Sequence, residues 1–130
     1  MQLVSFSHSY GQCAYHIVLI PYKRRKIFGI PGMKEHIEKI FRSIADRYKL
    51  TLHALKVLAD HVHIFVNMSP TLSLSKLFQI LKGLSSYMLF KELPDLREHL
   101  EGRLWSRGKF FRSIGSVTDE AVKYYIEHQN

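Results

Sequence analysis

His61 and His63 stand two residues apart in a stretch, His61 to Met68, whose β-branched and aromatic composition reads as a β-strand. The two-residue period of a strand puts both imidazoles on one face with Phe65 and Asn67. Val62, Ile64, Val66 and Met68 fall on the other, which is wholly apolar. Two neutral imidazoles side by side can share one cation, each giving a ring nitrogen. The same spacing also describes two half-buried sheet histidines, so the pair alone leaves both readings open. Near the C-terminus, Tyr125 and Gln129 are four residues apart and so lie on one helix face. There the phenol could act as a nucleophile and the amide oxygen as a further ligand to the same cation. The other reading is an amphipathic closing helix, with Val122 and Ile126 packed and Tyr125 as a half-buried anchor. Tyr124 is the rival nucleophile, turned about 100° around the helix from its neighbour.

A second group of residues suits a polyanion. Lys82, Ser85 and Ser86 fall on the polar side of a predicted helix, and Trp105, Arg107, Lys109, Phe110 and Arg112 form a mixed aromatic and basic stretch. Single-stranded nucleic acid is held by this mixture, cations for its phosphates and rings for its unstacked bases. Trp105 and Phe110 fit a core equally well. Lys and Arg number 19 against 11 Asp and Glu, a formal charge of +8, which points to a nucleic-acid partner. Cys13 is alone, which excludes an intrachain disulfide and a thiolate metal site and fits a reducing cytoplasm. No apolar run could span a bilayer, and Met1 to Tyr10 lacks a secretory pattern, so a cytoplasmic protein without membrane association is expected.

The elements that must position these groups follow from periodicity. At 130 residues a single domain over 1–130 is expected, with no internal repeat or long linker. Cys13 to Ile20 reads as a strand ending at Pro21, followed by the basic cluster Lys23, Arg24, Arg25 and Lys26. Pro31 opens a helix with Ile37, Ile40, Phe41, Ile44 and Tyr48 on one face. Thr51 to Leu58 and His61 to Met68 form strands joined by a tight hairpin at Ala59 and Asp60. A second helix carries Leu74, Leu77, Phe78, Leu81, Leu84 and Met88 and ends before Pro94. Asp95 to Gly102 is ambiguous, and Trp105 to Phe111 is a last strand weakened by Gly108. Thr118 is the N-cap of a final helix, with Asp119 and Glu120 favourable in its first turn. The order predicts an α+β, ferredoxin-like split βαβ antiparallel sheet. Helices cover one face, the other is partly open, and a C-terminal helix carries Tyr125.

Taken together, these segments resemble a known family. Asp60-His61-Val62-His63-Ile64-Phe65-Val66 resembles the histidine-hydrophobe-histidine motif of the HUH single-tyrosine transposases of insertion sequence family 200/605 (TnpA type). Tyr124-Tyr125-Ile126-Glu127-His128-Gln129 is similar to their tyrosine helix, in which the nucleophile precedes a glutamine by four. Tyr15-His16-Ile17-Val18, Leu81-Lys82-Gly83-Leu84-Ser85-Ser86, Leu104-Trp105-Ser106-Arg107-Gly108 and Gly115-Ser116-Val117-Thr118 match in the same order, so the likeness covers nearly the whole chain. Pro21-Tyr22-Lys23-Arg24 varies the usual basic segment, and the chain stops just after the glutamine, where relatives often continue.

The resemblance implies nicking and rejoining of single-stranded DNA by metal-assisted transesterification, with hairpins at mobile-element ends as targets. It implies Tyr125 as the nucleophile, giving a 5′-phosphotyrosine, and His61, His63 and Gln129 as ligands of Mg2+ or Mn2+. Lys23, Arg24, Arg25 and Lys82 would contact DNA phosphates, with Ser85, Ser86, Arg107, Lys109 and Arg112 completing the interface. Asp60 is read as a turn residue or a support for the histidines. A homodimer is implied, with the tyrosine helix of one subunit able to serve the histidine pair of the other. Two alternatives stand beside this: a domesticated relative acting on repeated palindromic elements, and a non-catalytic ferredoxin-like nucleic-acid-binding domain.

Overall fold

The structure is a computed structural model and describes residues 4–6, 9–11 and 13–114. The expected C-terminal helix, with Thr118, Tyr124, Tyr125 and Gln129, lies outside the described residues.

A short hairpin that the sequence did not suggest comes first: β1 (Val4–Phe6) pairs antiparallel with β2 (Ser9–Gly11). The main sheet contains β3 (Ala14–Leu19), β4 (Thr51–Leu58), β5 (His61–Asn67) and β6 (Phe110–Ile114), in the order β4-β5-β3-β6. Every neighbouring pair is antiparallel. β3 and β4 flank β5 and are joined through α1 (Met33–Tyr48), the split βαβ arrangement expected of a ferredoxin-like α+β fold.

The helix-facing side of the sheet is a continuous apolar surface. Ile17 and Leu19 from β3, Val57 from β4, and Val62, Ile64 and Val66 from β5 are all buried in one core with Ile37, Ile40, Phe41 and Ile44 of α1. The α1 stripe is the one its periodicity requires. The helix begins at Met33, not Pro31, because Gly32 adopts a left-handed N-cap conformation with φ 85°. It ends on a left-handed Lys49 whose N–H meets the carbonyls of Ala45 and Asp46.

The second helical segment departs from a uniform helix. α2 (Leu74–Gln79) starts on Ser73, whose side chain accepts from the Lys76 N–H. A π-helical turn over Ile80–Leu84 follows, and then α3 (Ser85–Glu92). A π turn inserts one residue into the helical repeat and shifts the inward face by one position. The buried residues therefore run Leu77, Phe78, Ile80, Leu81, Ser85, Leu89, while Leu84 and Met88, expected on that face, are only partly buried. The ambiguous Asp95 to Gly102 stretch contains a short helix, α4 (Pro94–His99), opened by its proline.

The last strand begins at Phe110, not Trp105. Trp105 forms an isolated bridge to Pro21 and packs in the core, its ring 5.7 Å from Phe28 and 6.1 Å from Phe41. Its indole N–H donates to Ser85 Oγ at 2.8 Å, so a large ring with one polar atom is satisfied at depth. Gly108 separates this anchor from β6; a Cβ there would meet the Phe110 ring at 2.4 Å.

Candidate active site

The face of the sheet away from the helices carries the chemistry. Register sets its rows: Lys56, His63, Val18 and Phe110 lie across the four strands, and Ala54, Phe65, His16 and Arg112 lie in the next row. His61 begins β5 opposite Leu58, immediately after the Ala59–Asp60 turn. Only part of this face is open. Towards the other end, Ala14, Phe65 and Ile114 form a small buried apolar cluster, and Asn67 is buried with its side-chain oxygen accepting from the Cys13 N–H at 3.2 Å.

The two expected ligands converge. The rings of His61 and His63 sit edge to face with centroids 4.9 Å apart. Each is held at Nδ1, by a different partner. His61 Nδ1 donates to Asp60 Oδ1 at 2.8 Å, and Asp60 Oδ2 accepts from Arg24 Nε at 3.0 Å. A carboxylate on one imidazole nitrogen fixes the ring and leaves the other nitrogen for a metal. The hydrogen bonds from His61 and Arg24 hold the Asp60 carboxyl at about 2, so it is an anion at neutral pH. Asp60 is thus the turn residue and histidine support that its position suggested.

His63 Nδ1 lies 2.9 Å from His16 Nε2, and the two rings lie end to end in nearly one plane. Burial, and then the neighbouring His16, His61 and Lys56, pull the His63 imidazole down to about 4, so it is neutral near pH 7. Its Nε2 is buried and has no hydrogen-bond partner among the described residues. A buried polar nitrogen left unsatisfied is costly and calls for an explanation, and a missing cation is one. The donor chemistry fits a metal: two imidazoles, one with a carboxylate behind it. Among the described residues no three His, Cys, Asp or Glu side chains form a complete cluster, and Gln129, the expected third ligand, lies outside them.

Comparison with known proteins gives the family. The sequence profile of the family described as "Transposase IS200 like" matches residues 9–129. The chain belongs to the IS200-like transposases. It is 31% identical over 127 residues to the transposase for insertion sequence element IS200 of Salmonella typhimurium, covering 96% of this chain and 82% of that one. It is 27% identical over 121 residues to the ISDra2 transposase TnpA of Deinococcus radiodurans, covering 92% and 85%. A solved structure assigned as a transposase of Deinococcus radiodurans R1 superposes with a TM-score of 0.78 at 25% identity, over 97% of both chains. The structure of a REP-associated tyrosine transposase bound to a REP hairpin shares the fold alone, at a TM-score of 0.59 and 12% identity over 98% of this chain and 74% of that one.

The residues expected at the DNA interface divide into three groups. Arg107, Lys109 and Arg112 are exposed on or before the last strand, beside Phe110, which is 47% exposed. Lys23 and Arg25 face Glu101, at 3.7 and 4.0 Å, whereas Arg24 turns to Asp60 and so stands beside the histidines. The third group serves the fold. Ser85, expected on a polar helix face, is fully buried; its hydroxyl donates to the Leu81 carbonyl and accepts from Trp105, and the π turn is the reason. It cannot reach a phosphate. Lys82 is half-buried, and its ammonium donates to the carbonyls of Ser106 at 2.7 Å and Gly108 at 3.2 Å. Burial, then Lys109, lowers its pKa. Ser86, half-buried, donates to the Lys82 carbonyl at 2.8 Å.

Two residues at the site were not singled out from the sequence. His16 entered only as part of a supporting segment, and the strand alternation that puts it on the histidine face was the signal available. His53 is brought round by a register shift between Leu52 and Ala54 and packs edge to face on Phe65 at 5.3 Å, with burial lowering its pKa. A bulge of that kind leaves no mark in a two-residue pattern.

Proposed function

We propose that this transposase, acting as one domain, nicks and rejoins single-stranded DNA through a covalent link to Tyr125. The buried, unpartnered Nε2 of His63 beside a carboxylate-held His61, in a chain of this family, carries the reading. The match over residues 9–129 supports treating the chain as a single unit that includes Tyr125 and Gln129.

His61, His63 and Gln129 would hold a divalent cation, Mg2+ or Mn2+. Such a cation supplies charge neutralisation and polarisation at the scissile phosphate when bound. Tyr125 loses its phenolic proton to solvent and attacks phosphorus. The Tyr–O–P bond forms, the bond from phosphorus to the 3′ oxygen breaks, and that oxygen takes up a proton. The products are a 5′-phosphotyrosine and a free 3′-hydroxyl. Attack by another 3′-hydroxyl reverses the step, so strands are joined without a nucleotide cofactor. Arg107, Lys109 and Arg112 bind phosphates along β6, Arg24 holds Asp60 against His61, and Phe110 offers a ring face to an unpaired base. Lys23 and Arg25 complete the expected contacts at the rim. DNA hairpins are the proposed recognition element, by likeness to the family.

The test uses the full chain with labelled hairpin-bearing single strands and Mg2+ or Mn2+. A denaturant-resistant protein–DNA adduct is expected, lost in Tyr125→Phe and kept in Tyr124→Phe; the opposite pattern overturns the assignment. We also infer a homodimer whose subunits exchange tyrosine helices. Mixing His63→Ala with Tyr125→Phe then restores adduct formation, because one site in each mixed dimer combines an intact pair with an intact phenol. Continued inactivity of the mixture counts against exchange.

A further inference from the structure

Two imidazoles in a cation site must each present a bare nitrogen to the same point, and a neutral imidazole has only one. Whichever nitrogen carries the proton, the other is the ligand. The partner of the protonated nitrogen therefore decides whether the ring can bind at all. For His61 that partner is Asp60, an acceptor only, so Nδ1 must be the protonated atom. His63 has no carboxylate. Its Nδ1 meets Nε2 of His16, an atom that can be donor or acceptor.

We propose that His16 is a positioning residue: it accepts a hydrogen bond from His63 Nδ1 and so holds His63 in the tautomer whose Nε2 is free for the cation. This rests on the metal reading above. Three observations support it. The nitrogens are 2.9 Å apart. The rings are nearly coplanar and end to end, 14° between planes with centroids 5.1 Å apart, the arrangement of an in-plane N–H···N hydrogen bond. The remaining nitrogen of His63 is buried and unpartnered, which is the state the proposal requires. Register places the contact. His63 lies opposite Val18 and His16 opposite Phe65, so the two histidines are diagonal neighbours on one face, within reach of long side chains. A free neutral imidazole favours the proton on Nε2, the form in which that nitrogen cannot bind a cation. To accept at Nε2, His16 must carry its own proton on Nδ1; without that acceptor, His63 would fall back to the Nε2-protonated form.

The experiment pairs two readouts on the full chain. Long-range nitrogen–proton NMR of the metal-free protein reads the tautomer directly. Wild type is expected to show His63 protonated at Nδ1 and bare at Nε2. His16→Phe keeps an aromatic ring of similar size but removes the acceptor and is expected to move the proton to Nε2. His16→Gln, whose amide oxygen can accept, is expected to restore the wild-type pattern. Mn2+ affinity, read by electron paramagnetic resonance, should weaken about 10- to 100-fold in His16→Phe and recover in His16→Gln. A His63 tautomer unchanged in a folded His16→Phe overturns the proposal, as does Mn2+ affinity within twofold of wild type. If wild type binds Mn2+ no better than the double variant His61→Ala, His63→Ala, the metal reading itself fails, while the NMR result still decides what His16 does.

Discussion

β5 is two strands in one. Its inward residues, Val62, Ile64 and Val66, are fully buried against helices and owe their place to area removed from water, a force that asks little about direction. Its outward residues, His61 and His63, are held by single hydrogen bonds to Asp60 and His16, and one of them ends in a buried nitrogen with nothing to bond. The first face tolerates rearrangement at a cost spread over many contacts. The second depends on which atom carries one proton. Under the proposed mechanism, stability and activity are written on alternate residues of one strand, and adjacent substitutions should separate them.

Four measurements sharpen or break that separation. His63→Ala is expected to take adduct formation to background while leaving Tm within a few degrees of wild type and hairpin binding largely intact. A variant that cleaves normally would place the cation elsewhere. The neighbouring Ile64→Ala should lower folding stability by about 2–5 kcal/mol in denaturant titrations, since it opens a cavity in a fully buried position. Its adduct yield should be retained under conditions where it remains folded. Phe110→Ala, on the outward face in the row of His63, should weaken single-strand affinity by about 1–3 kcal/mol without touching Tm. An equal loss in Phe111→Ala, whose ring packs against Tyr15 and Phe78, would argue against a specific stacking role. The fourth effect is on pH. The folded metal-free protein disfavours protonated His63, lowering it to about 4 from 6.5, so the unfolded chain binds more protons between those values. Stability present above pH 6.5 should decline as pH falls towards 4 and change no further through this ring below it. His63→Ala should flatten that part of the Tm profile.

The same contrast explains what could be read from sequence. Thr51–Leu58 forms as expected, and His61–Asn67 ends one residue short of its expected bound, because alternation and a tight turn are local signals. The pairing of His61 with His63 needs only the two-residue period. The contact between His16 and His63 depends on register between strands 47 residues apart, which no local pattern states. Ser85 was placed outward because an uninterrupted helical period puts it there; one π turn, without a distinctive residue to announce it, rotated it into the core. Trp105 drew the last strand five residues too early, since an aromatic suits a strand as well as an anchor.

Lys82 grips the segment after Trp105 by its main chain, through the carbonyls of Ser106 and Gly108, and not by any side chain there. A clasp that ignores side-chain identity leaves position 107 free to vary while its path through space is kept. The side chain displayed at that point can change without disturbing the scaffold that displays it.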